Sequence, residues 1–200
     1  MTSKKSTTTI GIEYDPYSIR AAAVRRSILD GDDIVEISAL RELRGDFSSD
    51  KSLIDGLKSI KSDMGSTDSY VTCISGKQTY AAQMRFRHLP AEELRGALRL
   101  EMRKTLPFEV SGSIVEFQQL GTPDKKAEKV DLLVTVVGGE LMNKHLGVLD
   151  RAGIKPDIVD LLPTAIANAF WNSRPAEADH GTAHVVLHIG ATSCTLVFDG

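Results

Sequence analysis

The chain contains only two cysteines, carries a formal charge of only −3, and has no long apolar run anywhere in its 200 residues. Each scarcity removes a class of protein. Neither Cys73 nor Cys194 has a His or Cys nearby at ligand spacing, so no disulfide framework or zinc site can be built on them. Both sit in apolar, strand-like runs and read as small buried hydrophobes. The 24 basic residues nearly balance the 27 acidic ones, which leaves no broad positive field to hold nucleic acid. No segment approaches the roughly 20 apolar residues of a membrane helix. The polar start Met1–Thr9 also lacks the apolar centre of a signal peptide. A cytoplasmic chain with no transmembrane segment is therefore expected. The five histidines are scattered and no serine lies in a Gly-x-Ser-x-Gly elbow, so a zinc site, a His-based dyad and a hydrolase centre all lack support. What the chain does have is 42% hydrophobic residues, enough to bury a core in one domain or two closely joined subdomains.

Periodicity then divides the chain. Residues 8–43 read as a three-strand meander, Thr8–Tyr14, Ser18–Arg26 and Asp33–Leu43, with corners at Asp15-Pro16 and Asp30-Gly31-Asp32. Leu53, Ile54, Leu57, Ile60 and Met64 fall at helical spacing, and Gly65 suits a left-handed C-cap. A strand Tyr70–Ser75 follows by a crossover and is expected to pair parallel to an earlier one. The next stretch has a β-α-β-β-α rhythm: strand Thr79–Leu89, helix Glu92–Leu106, strands Ile114–Leu120 and Val130–Val137, helix Glu140–Ala152. Leu94, Leu98, Met102 and Leu106 make an apolar stripe on the first of these helices. Gly153 with Pro156 beyond it ends the second. A strand Ile158–Leu162, a helix from Pro163 to about Trp171, a polar linker and a hairpin complete the chain. The fold class is α/β (α+β).

Two segments carry a chemical signal. Ile10-Gly11-Ile12-Glu13-Tyr14-Asp15-Pro16-Tyr17-Ser18-Ile19-Arg20 and Val185-Val186-Leu187-His188-Ile189-Gly190-Ala191-Thr192-Ser193-Cys194-Thr195 each run from an apolar strand through a tight turn into another strand. The pair resembles the two phosphate loops of the actin-like ATPases. Against that pattern the acidic residue of the first loop is Glu13, its loop glycine is Asp15, one serine is Pro16, and the second loop's aspartate is His188. A carboxylate at Asp15 repels phosphates. Further along, Cys73-Ile74-Ser75-Gly76, Arg87-His88-Leu89-Pro90, Leu106-Pro107-Phe108, Leu149–Asp160 and Ile189-Gly190-Ala191 resemble the PilM family of type IV pilus assembly, over nearly the whole chain. The division protein FtsA and the secretion protein GspL share that fold and are less similar in motif.

The resemblance implies an actin-like, ribonuclease-H-like subdomain 1A over 7–78 and 155–172, with a 1C insertion at 79–154. A linker at 173–182 and the first hairpin of subdomain 2A at 183–200 would follow, with the second lobe missing. It also implies a cytoplasmic scaffold, peripheral to the inner membrane, that binds the N-terminal tail of a PilN-type protein and joins other pilus or secretion components. For nucleotide the candidates are Gly11 and Gly190 for close backbone approach, Ser18, Thr192 and Thr195 as hydroxyl donors, and Arg20 as counter-charge. No cofactor is expected in this chain, ATP and Mg²⁺ being left to a complete protein. For the partner groove the candidates are Leu89, Pro90, Leu94, Pro107 and Phe108, Phe108 foremost. Arg95, Arg99 and Arg103 form a basic ridge that reads first as a solvated helix face. Uncovered strand edges lead us to expect self-association. Two alternatives stay open: an active ATPase completed by a second lobe, and a GspL-type secretion scaffold.

Overall fold

A computed structural model describes residues 6–29, 32–121, 128–173 and 183–199. In chain order the elements are β1 (Ser6–Asp15), β2 (Ser18–Leu29), β3 (Asp32–Arg44), α1 (Asp50–Met64), β4 (Ser69–Ile74), β5 (Thr79–Arg87) and α2 (Ala91–Thr105). They continue with β6 (Ile114–Gln119), β7 (Lys129–Val137), α3 (Gly139–Arg151), β8 (Ile158–Leu161), α4 (Leu162–Asn172), β9 (His184–Ile189) and β10 (Cys194–Asp199). The chain divides into two compact units, Met1–Ile74 with His145–Gly200, and Ser75–Lys144.

The first unit is built on a five-stranded sheet of order β3-β2-β1-β4-β8. β1, β2 and β3 pair antiparallel as the expected meander, while β4 joins β1, and β8 joins β4, in parallel. Side chains alternate across a strand, so Ile10, Ile12, Ile19, Ala21 and Ala23 all leave one face, where they are buried with Leu57 and Ile60 of α1. Ser49 caps α1 by accepting from the Ser52 amide, and Gly65 ends it at φ 76°. Gly56 is what lets α1 lie so close: a Cβ there would sit 2.6 Å from Ile19 Cδ1 and 2.7 Å from Phe47 Cε1. α4, with Pro163 in its first turn, lies on the other face against β4 and β8. On this face Leu40 of β3 is exposed.

The second compact unit spans Ser75–Lys144, so the second half of α3 belongs to the first unit. Val148, Leu149, Ala152 and Ile154 are buried in the first unit's core beside Ile10, Ile19 and Leu57. A turn closes α3 where Gly153, at φ 73°, precedes Ile154, whose amide donates to the Leu149 carbonyl at 2.9 Å.

The second unit is an antiparallel sheet of order β5-β7-β6 covered by α2. β7 alternates strictly enough to send Val130, Leu132, Val134 and Val136 into the core, where they meet Leu94, Leu98 and Met102 of α2. Glu92 and Glu93 in the first turn of α2, and Arg103 and Lys104 in the last, complement the helix dipole.

β9 and β10 form a separate hairpin whose β10 and β9 pack against α4, with His184 near Trp171 at 5.7 Å between ring centroids. Its opposite face carries Val185, Leu187, Ile189, Leu196 and Phe198, all exposed. Cys194, paired with Ile189 in the hairpin ladder, is therefore exposed rather than buried as its run suggested. Cys73 is half-buried. Residues 30 and 31 of the second corner, 124–127 of the charged loop and 174–182 of the linker lie outside the described residues.

Candidate functional site

The β1–β2 corner is closed by its own aspartate. Asp15 Oδ1 accepts from the amides of Tyr17 at 2.7 Å and Ser18 at 2.9 Å, and Oδ2 accepts from the Ser18 hydroxyl at 2.9 Å. Pro16 has no amide proton to offer. Its carbonyl accepts from Phe47 N, and that of Tyr17 from Gly45 N, so the segment after β3 ties the corner from outside. Ser18, 4% exposed, thus directs its hydroxyl proton to Asp15. Partial burial opposes ionisation of Asp15, but the Tyr17 and Ser18 hydrogen bonds and the Arg20 charge outweigh it and hold its carboxyl below the ordinary value.

Behind the corner, sheet register sets up two adjacent rows. Leu40, Ala22, Gly11 and Val71 are successive cross-strand neighbours on β3, β2, β1 and β4. Two residues further along, Glu42 pairs with Arg20 and Arg20 with Glu13, while Cys73 pairs with Asp160 on the far side. The first row is apolar and the second is charged. Both border a cavity of about 730 Å³ on the α4 side of the sheet, completed by Ala165 and Ala169 of α4. Arg20 is held on three sides: Nη1 lies 2.8 Å from Glu13 and 3.5 Å from Asp15, and Nε lies 3.1 Å from Glu42. Its hydrogen bond to Glu13 is the chief reason its guanidinium is held above the ordinary value. Asp160 receives the Leu161 amide and the Thr164 hydroxyl. Burial, with Glu13 and Asp160 adding to it, pushes the Cys73 thiol up to about 12, so it stays protonated.

Of the nucleotide candidates, the cavity brings together Gly11 and Arg20. Ser18 lies in the corner, and Gly190, Thr192 and Thr195 belong to the β9–β10 hairpin, outside the cavity walls. Gly190 has a local reason to be glycine: its amide donates to the Ser193 carbonyl, and a Cβ would come within 3.0 Å of that oxygen.

The partner candidates all lie in the second unit. Leu94 is 4% exposed and belongs to that unit's core, which leaves it no surface to offer. Leu89 and Phe108 pack half-buried on the same core, while Pro90 and Pro107 are exposed. Arg95 meets Glu92 and Glu116 and lies over the Phe117 ring, whereas Arg99 and Arg103 are exposed.

One residue escaped the sequence reading. His145, 6% exposed, has Nδ1 2.7 Å from the Tyr14 hydroxyl and Nε2 3.0 Å from the Thr72 hydroxyl. Burial lowers its pKa to about 4. A neutral ring here ties α3 to the ends of β1 and β4. Burial chiefly raises the Tyr14 phenol above its ordinary value.

Residues 19–198 match the family described as type IV pilus assembly protein PilM. The chain belongs to that family. Among solved structures it is similar to a PilM-PilN type IV pilus biogenesis complex, at 21% identity and a TM-score of 0.78 over 95% of this chain and 57% of that one. It is also similar to the cytoplasmic domain of EpsL, an inner-membrane component of the type II secretion system of Vibrio cholerae. That match has 14% identity and a TM-score of 0.55, over 96% of this chain and 71% of that one. These likenesses establish the actin-like fold of the PilM family for this chain, which spans little more than half the length of the PilM structure it matches. Among the described residues no helix is long and apolar enough to cross a membrane.

Proposed function

We propose that this PilM-family chain is a cytoplasmic scaffold of type IV pilus assembly, peripheral to the inner membrane, that binds the N-terminal tail of a PilN-type protein without using nucleotide. The observation that carries the reading is the closed β1–β2 corner. A phosphate-holding turn works by aiming free backbone amides at the anion. Here the amides of Tyr17 and Ser18 donate to the Asp15 carboxylate, and Pro16 contributes none. Arg20, the one cation placed to meet a phosphate from β2, is already paired with Glu13 and Glu42. Entry of a triphosphate would break those bonds and bring its charge against three carboxylates.

Support for the partner comes from family membership and from the PilM-PilN complex that the chain resembles. In this chain the segments on either side of α2 set the half-buried apolar side chains of Leu89 and Phe108 beside the exposed Pro90 and Pro107, apolar surface of the kind an extended peptide uses. Linkage to a second lobe and to the other components of the pilus machine belongs to the same proposal, as do self-association and the absence of a bound cofactor. A secretion-type scaffold is the second reading, favoured by the EpsL likeness at a TM-score of 0.55.

Calorimetric titration of the chain with the cytoplasmic tail peptide of the PilN-type protein encoded beside it tests the reading. Micromolar binding that Phe108→Ala weakens at least tenfold, about 1.4 kcal/mol, with the thermal transition of the variant still cooperative, is the expected result. A folded chain that ignores this peptide and binds the tail of a secretion-type partner would transfer the assignment to the second reading.

A further inference from the structure

We propose that β3 pairs antiparallel with β3 of a second copy of this chain, in the register that sets Glu36 opposite Arg41 and Ile37 opposite Leu40 of the other copy. This pairing gives the self-association proposed above its surface, and it rests on that reading. β3 runs 13 residues, Asp32–Arg44, and is an outer strand of its sheet, paired with β2 on one side. Outer strands are ordinarily kept short, broken by proline or charged, because a free row of amides and carbonyls invites another strand. β3 is long, has no proline, and carries Val35, Ile37 and Leu40 at 62%, 65% and 63% exposure. Exposure alone names no occupant. The order of charges along the strand does.

Asp32, Asp33 and Glu36 precede Ser38, whereas Arg41 and Arg44 follow it, with Glu42 between them. A strand acidic in one half and basic in the other complements its own reversed copy, and a two-fold axis between Ser38 and Ala39 supplies that reversal. Such an axis keeps each residue and its symmetry mate on one face of the joined sheet. In a regular strand, where faces alternate, Ile37 and Leu40 would then lie on opposite faces. β3 is not regular. Ala39 pairs with Ala23 and Ile37 with Val24, so Ser38 is an extra residue, its hydroxyl donating to the Ala23 carbonyl at 3.2 Å. The bulge shifts the alternation by one. Ile37 and Leu40 stand opposite Val24 and Ala22, and Glu36 and Arg41 opposite Arg25 and Ala21, so each of these pairs shares a face. The same holds for Asp33 with Arg44, opposite Ile28 and Ser18, and for Ile34 with Leu43, opposite Ser27 and Ile19.

One register therefore brings Asp33 to Arg44, Ile34 to Leu43, Glu36 to Arg41 and Ile37 to Leu40, each twice about the axis. Opposite charges and apolar pairs are the cross-strand neighbours that stabilise a sheet, and no like charges meet. Arg41 makes the register discriminating: its Nη1 donates to the Leu40 carbonyl at 2.8 Å, and among the described residues it has no carboxylate partner. Glu36 meets Arg25 of its own chain at 3.5 Å and would receive Arg41 of the second copy from the other side. Order and register belong to β2 and β3 themselves, whatever adjoins the sheet elsewhere.

Sedimentation equilibrium of the wild-type chain, Glu36→Arg, Arg41→Glu and the double reversal, across the micromolar range, tests the pairing. The expected result is a reversible wild-type dimer whose dissociation constant rises at least tenfold in each single variant and returns to the wild-type value in the double one. Both sites are exposed, so the thermal midpoints of the four dilute monomers should agree. Self-association that neither single reversal weakens, or that the double reversal fails to restore, would overturn β3 pairing and leave self-association to another surface. A wild-type chain that stays monomeric throughout would overturn both. A monomeric chain whose binding of the PilN-type tail peptide is abolished by Arg41→Glu would assign the edge to that peptide instead of a second copy.

Discussion

Asp15→Ala removes the carboxylate that closes the β1–β2 corner, and the cost can be worked from its partners. Three donors lose their acceptor: the Tyr17 amide, the Ser18 amide and the Ser18 hydroxyl. The Ser18 side chain is buried, so water replaces little of its bond, whereas the exposed Tyr17 amide recovers most of its own. By analogy with the loss of a helix N-cap, the two part-buried bonds from Ser18, with the exposed Tyr17 bond largely replaced by water, amount to about 2 kcal/mol. For a chain of this length that lowers the thermal midpoint by about 4–8 °C. The pH dependence gives a second signature. Hydrogen bonds hold the folded pKa of Asp15 below its unfolded value, so its stabilisation is complete above about pH 4. It is lost as pH falls through the folded pKa. Urea unfolding of wild type and variant at pH 7 and pH 3 should show a gap that shrinks at the lower pH. Asp15→Asn, which keeps an acceptor for the amides but no charge for Arg20, should cost less than Asp15→Ala. A variant within about 0.5 kcal/mol of wild type at pH 7, the ordinary scatter of surface substitutions, would refute the idea that this side chain closes the corner.

His145 binds a proton in the unfolded chain near pH 6.5 but in the folded one only near pH 4, so stability should fall as pH drops between those values, by up to about 3 kcal/mol. His145→Gln should flatten that slope in acid urea titrations. Gly56→Val drives branched carbons into Ile19 and Phe47 and should cost about 2–3 kcal/mol by chemical denaturation. Leu98→Ala, at a site with no exposure, should cost 2–5 kcal/mol. Hydrogen exchange should locate that loss in β5, β6, β7 and α2 before the first unit is affected.

Local signals made much of the fold legible. Asp15-Pro16 marked the first corner, Gly65 and Gly153 marked two helix ends, and the four-residue recurrence of Leu94, Leu98 and Met102 found the buried side of α2. Periodicity identifies an apolar face without saying which core receives it. At the end of α3, Val148, Leu149 and Ile154 pack with Ile10, Ile19 and Leu57, a destination their spacing does not reveal. Cys194 looked buried because its run is apolar, yet the outward face of its hairpin is uncovered. The role of His145 was invisible for a related reason: its partners Tyr14 and Thr72 lie 131 and 73 residues away. Substitutions at Asp15 and Pro16 could be read as hostile to phosphate, but the cavity could not be read at all. It exists only because register places residues 11, 22, 40 and 71 side by side.

The most direct test of the account is to titrate the PilN-type tail peptide into this chain with and without saturating MgATP. The account predicts the same affinity in both, with no heat from MgATP alone, because the donors of the β1–β2 corner are taken up by Asp15. Tail binding that requires MgATP, or is strengthened tenfold by it, would contradict a nucleotide-free scaffold and restore the ATPase reading.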